Sequence, residues 1–323
     1  MKKFIFLTLA AAALLSCAKE QILTQDREAI TFTNAFVDNA TKANDASFNN
    51  SNPPTSFLVY GTTTGDHSNA TTVTVFNGVE VKYENDAWGY SNDHTQYWIN
   101  NNTYAFAAVV NGTISNDKKI SYAADYSNGD TKDLLYAVNN YGKFVKGESS
   151  TSVGFNFQHL LAKAHFTVKN TIATNTADNK YTYRVSDIKI TNAYTSGDYD
   201  ITKYNVSDAD AWDEYTTTTG EVQFGNLTKD IGQVGTTDEA TSEHARLLVP
   251  AEYTELNIKC TIETLLNGSV VDVENYEKGI NITLEEGQAY NFVISKGNPG
   301  EQIEFTVTPI INGWGTGSTG GTI

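Results

Sequence analysis

The chain has 323 residues, 40% of them hydrophobic, enough for two modest β domains or one large one with a real core. Lys and Arg number 22 against 38 Asp and Glu, a formal net charge of -16 at pH 7. So acidic a surface repels phosphate backbones and anionic lipid, and no basic patch offsets it, which excludes a nucleic-acid partner; the charge instead serves solubility on a secreted surface.

The first residues read as a processing signal rather than as part of the fold. Lys2 and Lys3 give a short basic start, and the apolar residues 4–15 are too few to stay in a membrane as a spanning helix. They end in Leu14-Leu15-Ser16-Cys17, which resembles the cleavage box of bacterial lipoproteins. Residues 1–16 are then a signal peptide, Cys17 the lipidated first residue of the exported chain, and residues 17–28 a polar tether. The alternative is an ordinary secretory leader with an incidental cysteine. No later segment reads as transmembrane, so the lipid on Cys17 is the expected attachment to the outer membrane. With Cys17 acylated, Cys260 has no cysteine to pair with.

Residues 29–36 read as a first strand, and residues 37–54, rich in Asn, Asp, Ser, Ala and Thr, as a long loop or linker. Beyond them the period is two almost everywhere. Residues 57–60 form a short apolar strand. Val73 and Val75, then Asn77-Gly78, then Val79, Val81 and Tyr83 read as a hairpin, because Asn and Gly tolerate the positive φ of its turn. Tyr104, Phe106, Ala108 and Val110 mark another strand face, followed by Val153, Phe155 and Phe157, then Phe166 and Val168. Tyr183, Val185, Ile188 and Ile190 slip once in period, as at a bulge. Leu256, Ile258, Cys260 and Ile262 share a face, which predicts a buried structural thiol rather than a nucleophile. Asn267-Gly268 should turn that strand into one carrying Val271 and Val273. The final strands are Tyr290, Phe292, Ile294 and Ile303, Phe305, Val307. Helical turns fit only at residues 132–139 and 159–163. The expectation is an all-β chain of two sandwiches, residues 29–150 and 151–323, divided at residues 147–151 in a polar run.

Side chains that carry chemistry are sparse. His67, His94, His159, His165 and His244 make no metal spacing, and His159 and His165 lie among Leu160, Leu161 and Ala164 as in a packed segment. Asp208-Ala209-Asp210-Ala211-Trp212-Asp213-Glu214 lacks the central glycine and closing glutamate of a calcium loop and reads as a solvated acidic loop. No glycine-rich turn opens a helix to cradle a phosphate, and no Gly-x-Ser-x-Gly elbow occurs. The expectation is no cofactor, no metal, no catalytic residue and no enzyme. Trp88, Tyr90, Tyr97 and Trp98 crowd a stretch rich in Asn, Asp and Ser. Exposed, they would stack on sugar rings as a glycan platform. The plainer reading, which we favour, has Trp88 and Trp98 filling core and covering a sandwich edge.

In order and spacing these segments resemble the fimbrillin-like lipoproteins of Bacteroides and Porphyromonas relatives. The likeness rests on the Cys17 box, Ala29-Ile30-Thr31-Phe32, Ala40-Thr41-Lys42-Ala43 before Phe57-Leu58-Val59-Tyr60-Gly61, and Trp88 and Tyr97-Trp98 leading to Tyr104-Ala105-Phe106. Its most specific parts are Asp133-Leu134-Leu135-Tyr136-Ala137 and Phe155-Asn156-Phe157-Gln158-His159-Leu160-Leu161-Ala162-Lys163. Glu286-Gly287-Gln288-Ala289-Tyr290 and Trp314 complete it. The resemblance implies two tandem transthyretin-like β-sandwich domains and a fimbrial or adhesive role at the cell surface. Other fimbrial subunits would be its partners.

In polymerising members of that family a protease cuts after a basic residue that follows the first strand. A neighbour's strand then fills the groove, restoring both backbone pairing and core. The matching position is Lys42, where the best-known members carry arginine, so an arginine-specific protease would leave it whole. Arg27 precedes the first strand, and a cut there frees only the tether. Residues 312–323 are glycine-rich and make a poor donor strand, which favours a tip or anchoring role over a stalk. The alternative is a surface glycan-binding lipoprotein resting on residues 88–98, with a host or bacterial glycan or protein receptor. A hydrolase has no side-chain constellation behind it.

Overall fold

A computed structural model describes residues 27–37, 53–124, 126, 132–172, 178, 180–204, 211–213, 219–232 and 238–309. Cys17, Lys42, Trp314 and most of the acidic run 208–214 lie outside the described residues.

The described residues form nineteen strands: β1 Thr31–Val37, β2 Ser56–Thr64, β3 Thr72–Glu84, β4 Ala87–Gly89, β5 Thr103–Val110, β6 Lys119–Ala123, β7 Leu135–Lys143, β8 Ser152–His159, β9 Ala162–Asn170 and β10 Tyr181–Tyr194. There follow β11 Ser196–Asp200, β12 Trp212–Asp213, β13 Thr219–Gly225, β14 Asp238–Thr241, β15 Arg246–Leu248, β16 Ala251–Leu266, β17 Ser269–Leu284, β18 Ala289–Lys296 and β19 Glu304–Pro309. Among the described residues the helical content is two single 3-10 turns, Asn92–His94 and Ile201–Lys203. The fold is all-β, as the period-two reading requires.

Four sheets are built from these strands. One has seven strands in the order β1-β8-β7-β5-β2-β3-β4, and a small one has the order β12-β11-β6. Two more run β13-β10-β16-β17 and β14-β9-β18-β19, with β15 also on β9. By contact the chain divides into two compact units. The first gathers the described residues of Met1–Asn34, Val59–Ala107 and Asn139–Gly154, and the second those of Ala35–Leu58, Ala108–Val138 and Phe155–Ile323.

Within the second unit the last two sheets face each other across one core. Ala164, Phe166 and Val168 of β9 and Phe292 and Ile294 of β18 supply one side. Val185 and Ile190 of β10, Val222 and Phe224 of β13 and Leu256, Ile258 and Ile262 of β16 supply the other. Phe166 sits 4.8 Å from Phe224 and 5.0 Å from Phe292, so aromatic rings bridge the layers. Alternate residues of β16 point inward, and Cys260 is buried among them on the face the sequence assigned to it. The period slip in β10 is a register irregularity between Ser186 and Lys189, with Asp187 at φ 51.

Two turn signals of the same kind have different outcomes. Asn267 and Gly268, at φ 49 and 84, join β16 to β17 as a two-residue turn, with Leu266 opposite Ser269. Asn77-Gly78 makes no hairpin. The strand β3 runs through it, with Gly78 at φ 68, and the chain reverses at Asn85 and Asp86, φ 52 and 62, where Glu84 faces Ala87. The dipeptide's tolerance of positive φ is used for an irregularity inside a strand.

The segments where helical turns fit hold no helix and are partly strand. Residues 135–137 in β7 are buried at every position, and so are residues 159–164, which run from the end of β8 into β9. Burial of successive residues removes the alternation by which a strand is recognised.

Burial pushes the Cys260 thiol from its ordinary 9.0 up to about 12, with the nearby carboxylates of Glu274 and Asp187 adding to the shift. Because the folded value lies above the unfolded one, this thiol's contribution to stability is complete below pH 9 and lost as the pH rises toward about 12. A disulfide reagent at pH 8 is expected to label native Cys260 roughly a hundredfold more slowly than the urea-unfolded chain. Equal rates would show the thiol to be exposed.

Candidate functional site

The first strand and the segment that covers it form the candidate site. The strand β1 is an edge of the seven-stranded sheet, next to β8. An edge strand of little consequence would put few side chains into the core. Here Ile30, Phe32 and Ala35 are all buried. The Phe32 ring lies 5.5 Å from Phe76, 5.7 Å from Tyr90 and 6.4 Å from Phe106, edge-on to each.

The backbone ahead of β1 is held from two sides. The Ile30 N–H donates to the Gln96 carbonyl and the Trp98 N–H to the Glu28 carbonyl, both at 2.9 Å, so Ala29 bridges Tyr97. From the other side the Thr151 carbonyl accepts from the Thr31 N–H at 3.0 Å, the Thr31 hydroxyl at 3.0 Å and the Trp98 indole N–H at 3.1 Å. The Thr31 and Ser152 hydroxyls are 2.7 Å apart. Tyr90 donates its hydroxyl to the Ile30 carbonyl at 2.6 Å, and burial raises the Tyr90 pKa, which keeps the donor protonated.

These contacts explain where the four aromatic residues of the sequence motif lie. Trp98 is core, 5% exposed, with its ring 4.7 Å from Phe144 in a stack and 4.6 Å from Tyr104. Tyr90 is half-buried against Phe32 and Phe76. Trp88 is half-buried and packs 5.3 Å from Tyr83 across the β3–β4 ladder. Tyr97 is exposed. Trp88 and Tyr90 line a surface groove of 660 Å³ with Glu80, Lys82, Glu84 and His94, whereas Tyr97 and Trp98 are not part of it. The four therefore do not form one sugar-stacking platform.

The two most specific segments of the sequence resemblance meet in the second unit. His159 Nδ1 lies 3.0 Å and 3.2 Å from the two Asp133 carboxylate oxygens, with both side chains buried. The Leu160 N–H donates to the Leu134 carbonyl, Leu135 faces His159, and the Trp212 indole N–H donates to the Leu160 carbonyl. Sequence reasoning read His159 as packed but had no signal for Asp133 as its partner. The pair ties the residues just ahead of β7 to the last residue of β8. Among the described residues, no three of His, Cys, Asp and Glu are grouped to hold a metal ion, and no helix is long and apolar enough to cross a membrane.

The model of the fimbrillin-like family matches residues 41–314. No curated protein matches. Among solved structures, a fimbrial protein from Bacteroides vulgatus superposes with a TM-score of 0.62 at 15% identity, over 88% of this chain and 99% of its own. A proposed cell adhesion protein from Bacteroides uniformis is 18% identical, with a TM-score of 0.49 over 88% of this chain and 98% of its own. Another from Bacteroides ovatus is 18% identical, with a TM-score of 0.47 over 85% and 93%. At such identities the Bacteroides vulgatus likeness is one of fold.

Phe32→Ala removes a buried ring that three others surround and is expected to cost about 3–5 kcal/mol in urea unfolding. Tyr90→Phe removes one hydrogen bond and should cost about 0.5–1.5 kcal/mol. Tyr83→Ala, on the exposed face, should cost much less than Phe32→Ala. Equal costs at positions 32 and 83 would contradict the burial of the first strand.

Proposed function

The chain belongs to the fimbrillin-like family, and from that premise we propose that it is a structural, non-catalytic fimbrial subunit or fimbria-associated adhesin of the cell surface. The observation that carries the proposal is the family match over residues 41–314.

The finer reading has two tandem transthyretin-like sandwiches reached through a lipid on Cys17. Part of the strand pairing supports two sandwiches, although β6 pairs with β11 across the expected division. β8 pairs with β7 in the seven-stranded sheet, and the first strand of the facing pair of sheets is β9.

We also propose that β1 is the separable strand, with its groove open to a strand of a neighbouring subunit once the chain is cut beyond it. Supporting this, β1 is an edge strand, buries apolar side chains and is followed by the segment that contains Lys42. A strand lost from that position exposes both backbone and core, and a donated strand restores both. Lys42 rather than arginine at the cleavage position points to a different protease, or to a tip or anchor subunit that keeps its first strand.

The alternative, a glycan-binding lipoprotein, keeps one supporting observation, the groove beside Trp88 and Tyr90. It loses the partnership of all four aromatic residues, since Trp98 is committed to core.

Material sheared from cells is expected to hold this chain in filaments or in oligomer ladders that survive mild detergent. A chain that stays monomeric and binds a glycan array saturably, with binding lost in the Trp88→Ala, Tyr90→Ala double variant, would reverse the two readings.

A further inference from the structure

The strand β17, Ser269–Leu284, is the free edge of the four-stranded sheet and is among the longest strands of the chain. Among the described residues no strand pairs with its outer side, and that row of backbone donors and acceptors is a template for another strand. The ladder from β17 to β16 runs without a shift from Asp272, opposite Thr264, to Ile280, opposite Leu256. It is interrupted just beyond each end, at the Thr264/Leu265 step and the Tyr253/Leu256 step. The regular stretch of β17 is thus centred on Tyr276.

Within it Glu274, Tyr276 and Lys278 point toward the inner side of the sandwich, because they face Ile262, Cys260 and Ile258, which are core. With Gln302, Ile303 and Phe305 they line a groove of 320 Å³ along the open edge between the two sheets. Tyr276, Ile303 and Phe305 pack against the core yet are only partly buried, so apolar surface is left for something to cover.

The charges along the strand say what covers it. In an antiparallel pair, residues directly opposite share a face, so two copies of one strand can pair about a residue that faces itself. With Tyr276 opposite Tyr276 of the second copy, Glu274 of each strand stands opposite Lys278 of the other. Lys278 is exposed and has no ion pair among the described residues. Glu274 is held 3.1 Å from the buried Lys296 and its side chain remains 44% exposed, open to a second cation. Pairing about Asn275 would instead set Lys278 opposite Asp272, but the ladder would have to cross the irregularity next to Val270 and Val271. Inward-facing charges ordinarily guard an edge against arbitrary strands; these two repel any strand except one that offers the opposite sign at matching positions.

We propose that β17 pairs antiparallel with β17 of a second copy of this chain, centred on Tyr276, joining two four-stranded sheets edge to edge. The contact is independent of strand exchange through β1 and uses a different sheet. The partly buried Ile303 and Phe305 of each copy would be covered by it.

The test uses the full chain, co-expressed with two different tags and extracted from membranes in mild detergent. Wild-type copies are expected to co-purify. Lys278→Glu with itself, and Glu274→Lys with itself, should each co-purify roughly fivefold less or worse, because both opposite-charge pairs become like-charge pairs. Mixing Lys278→Glu with Glu274→Lys restores both pairs and should return the yield to near the wild-type level, which also shows that both variants fold. If Glu274→Lys does not accumulate, loss in Lys278→Glu together with retention in Lys278→Arg decides the question. Wild-type copies that fail to co-purify, or single variants that co-purify as well as wild type, would overturn the proposal.

Discussion

The burial of Phe32 among Phe76, Tyr90 and Phe106 is the contact on which the first unit depends. It makes an edge strand a part of the core. The rest of the neighbourhood serves to keep that strand in place. The segment from Tyr90 to Trp98 supplies a hydrogen bond to the Ile30 carbonyl and a backbone bridge to residues 28–30, and Thr151 closes the other side. Trp98 links the two sides, since its backbone holds Glu28 while its indole N–H meets the Thr151 carbonyl that also holds Thr31. A strand fixed this way is stable in the intact chain, yet it is a single short element whose loss would uncover aromatic core and unpaired backbone together. That combination is what a subunit completed by its neighbour requires.

The second unit is stabilised differently. Its core lies between two sheets and draws on strands from both, so no one edge strand completes it. Ala289–Lys296 runs parallel to Ala162–Asn170, and the long β16–β17 hairpin supplies the partner layer. Two of the buried polar groups here have defined partners. Lys296 reaches Glu274 and the Glu301 carbonyl, and Tyr183 donates to the Gly297 carbonyl at 2.5 Å. Buried charge without partners would cost several kcal/mol, so these contacts hold β18 in register against the facing sheet.

Much of this was legible in the sequence, because a half-buried strand writes its burial as alternation. The faces carrying Tyr104 and Phe106, Phe155 and Phe157, and Cys260 were readable for that reason, as was the turn at Asn267-Gly268. The failures also have physical causes. Asn77-Gly78 carries the dihedral freedom of a turn, but whether the chain reverses depends on the neighbouring strands, and the reversal falls at Asn85 and Asp86. Residues 135–137 and 159–164 are buried on both faces and so lose the alternation that marks a strand. The site was half legible. The cluster from Trp88 to Trp98 stood out correctly as unusual, but composition could not say that Trp98 faces inward while Tyr97 faces out. The bond between Asp133 and His159 joins positions far apart in sequence, and no local pattern announces it.

The most direct test removes the chain through Lys42 and asks whether the remainder needs the missing strand. A form starting at Ala43 should melt at a lower temperature than the intact chain, bind a dye that reports exposed apolar surface, and regain its stability when a synthetic peptide of residues 27–37 is added. A form that melts as the intact chain does and ignores the peptide would contradict the view that the first strand completes the fold and can be replaced from outside.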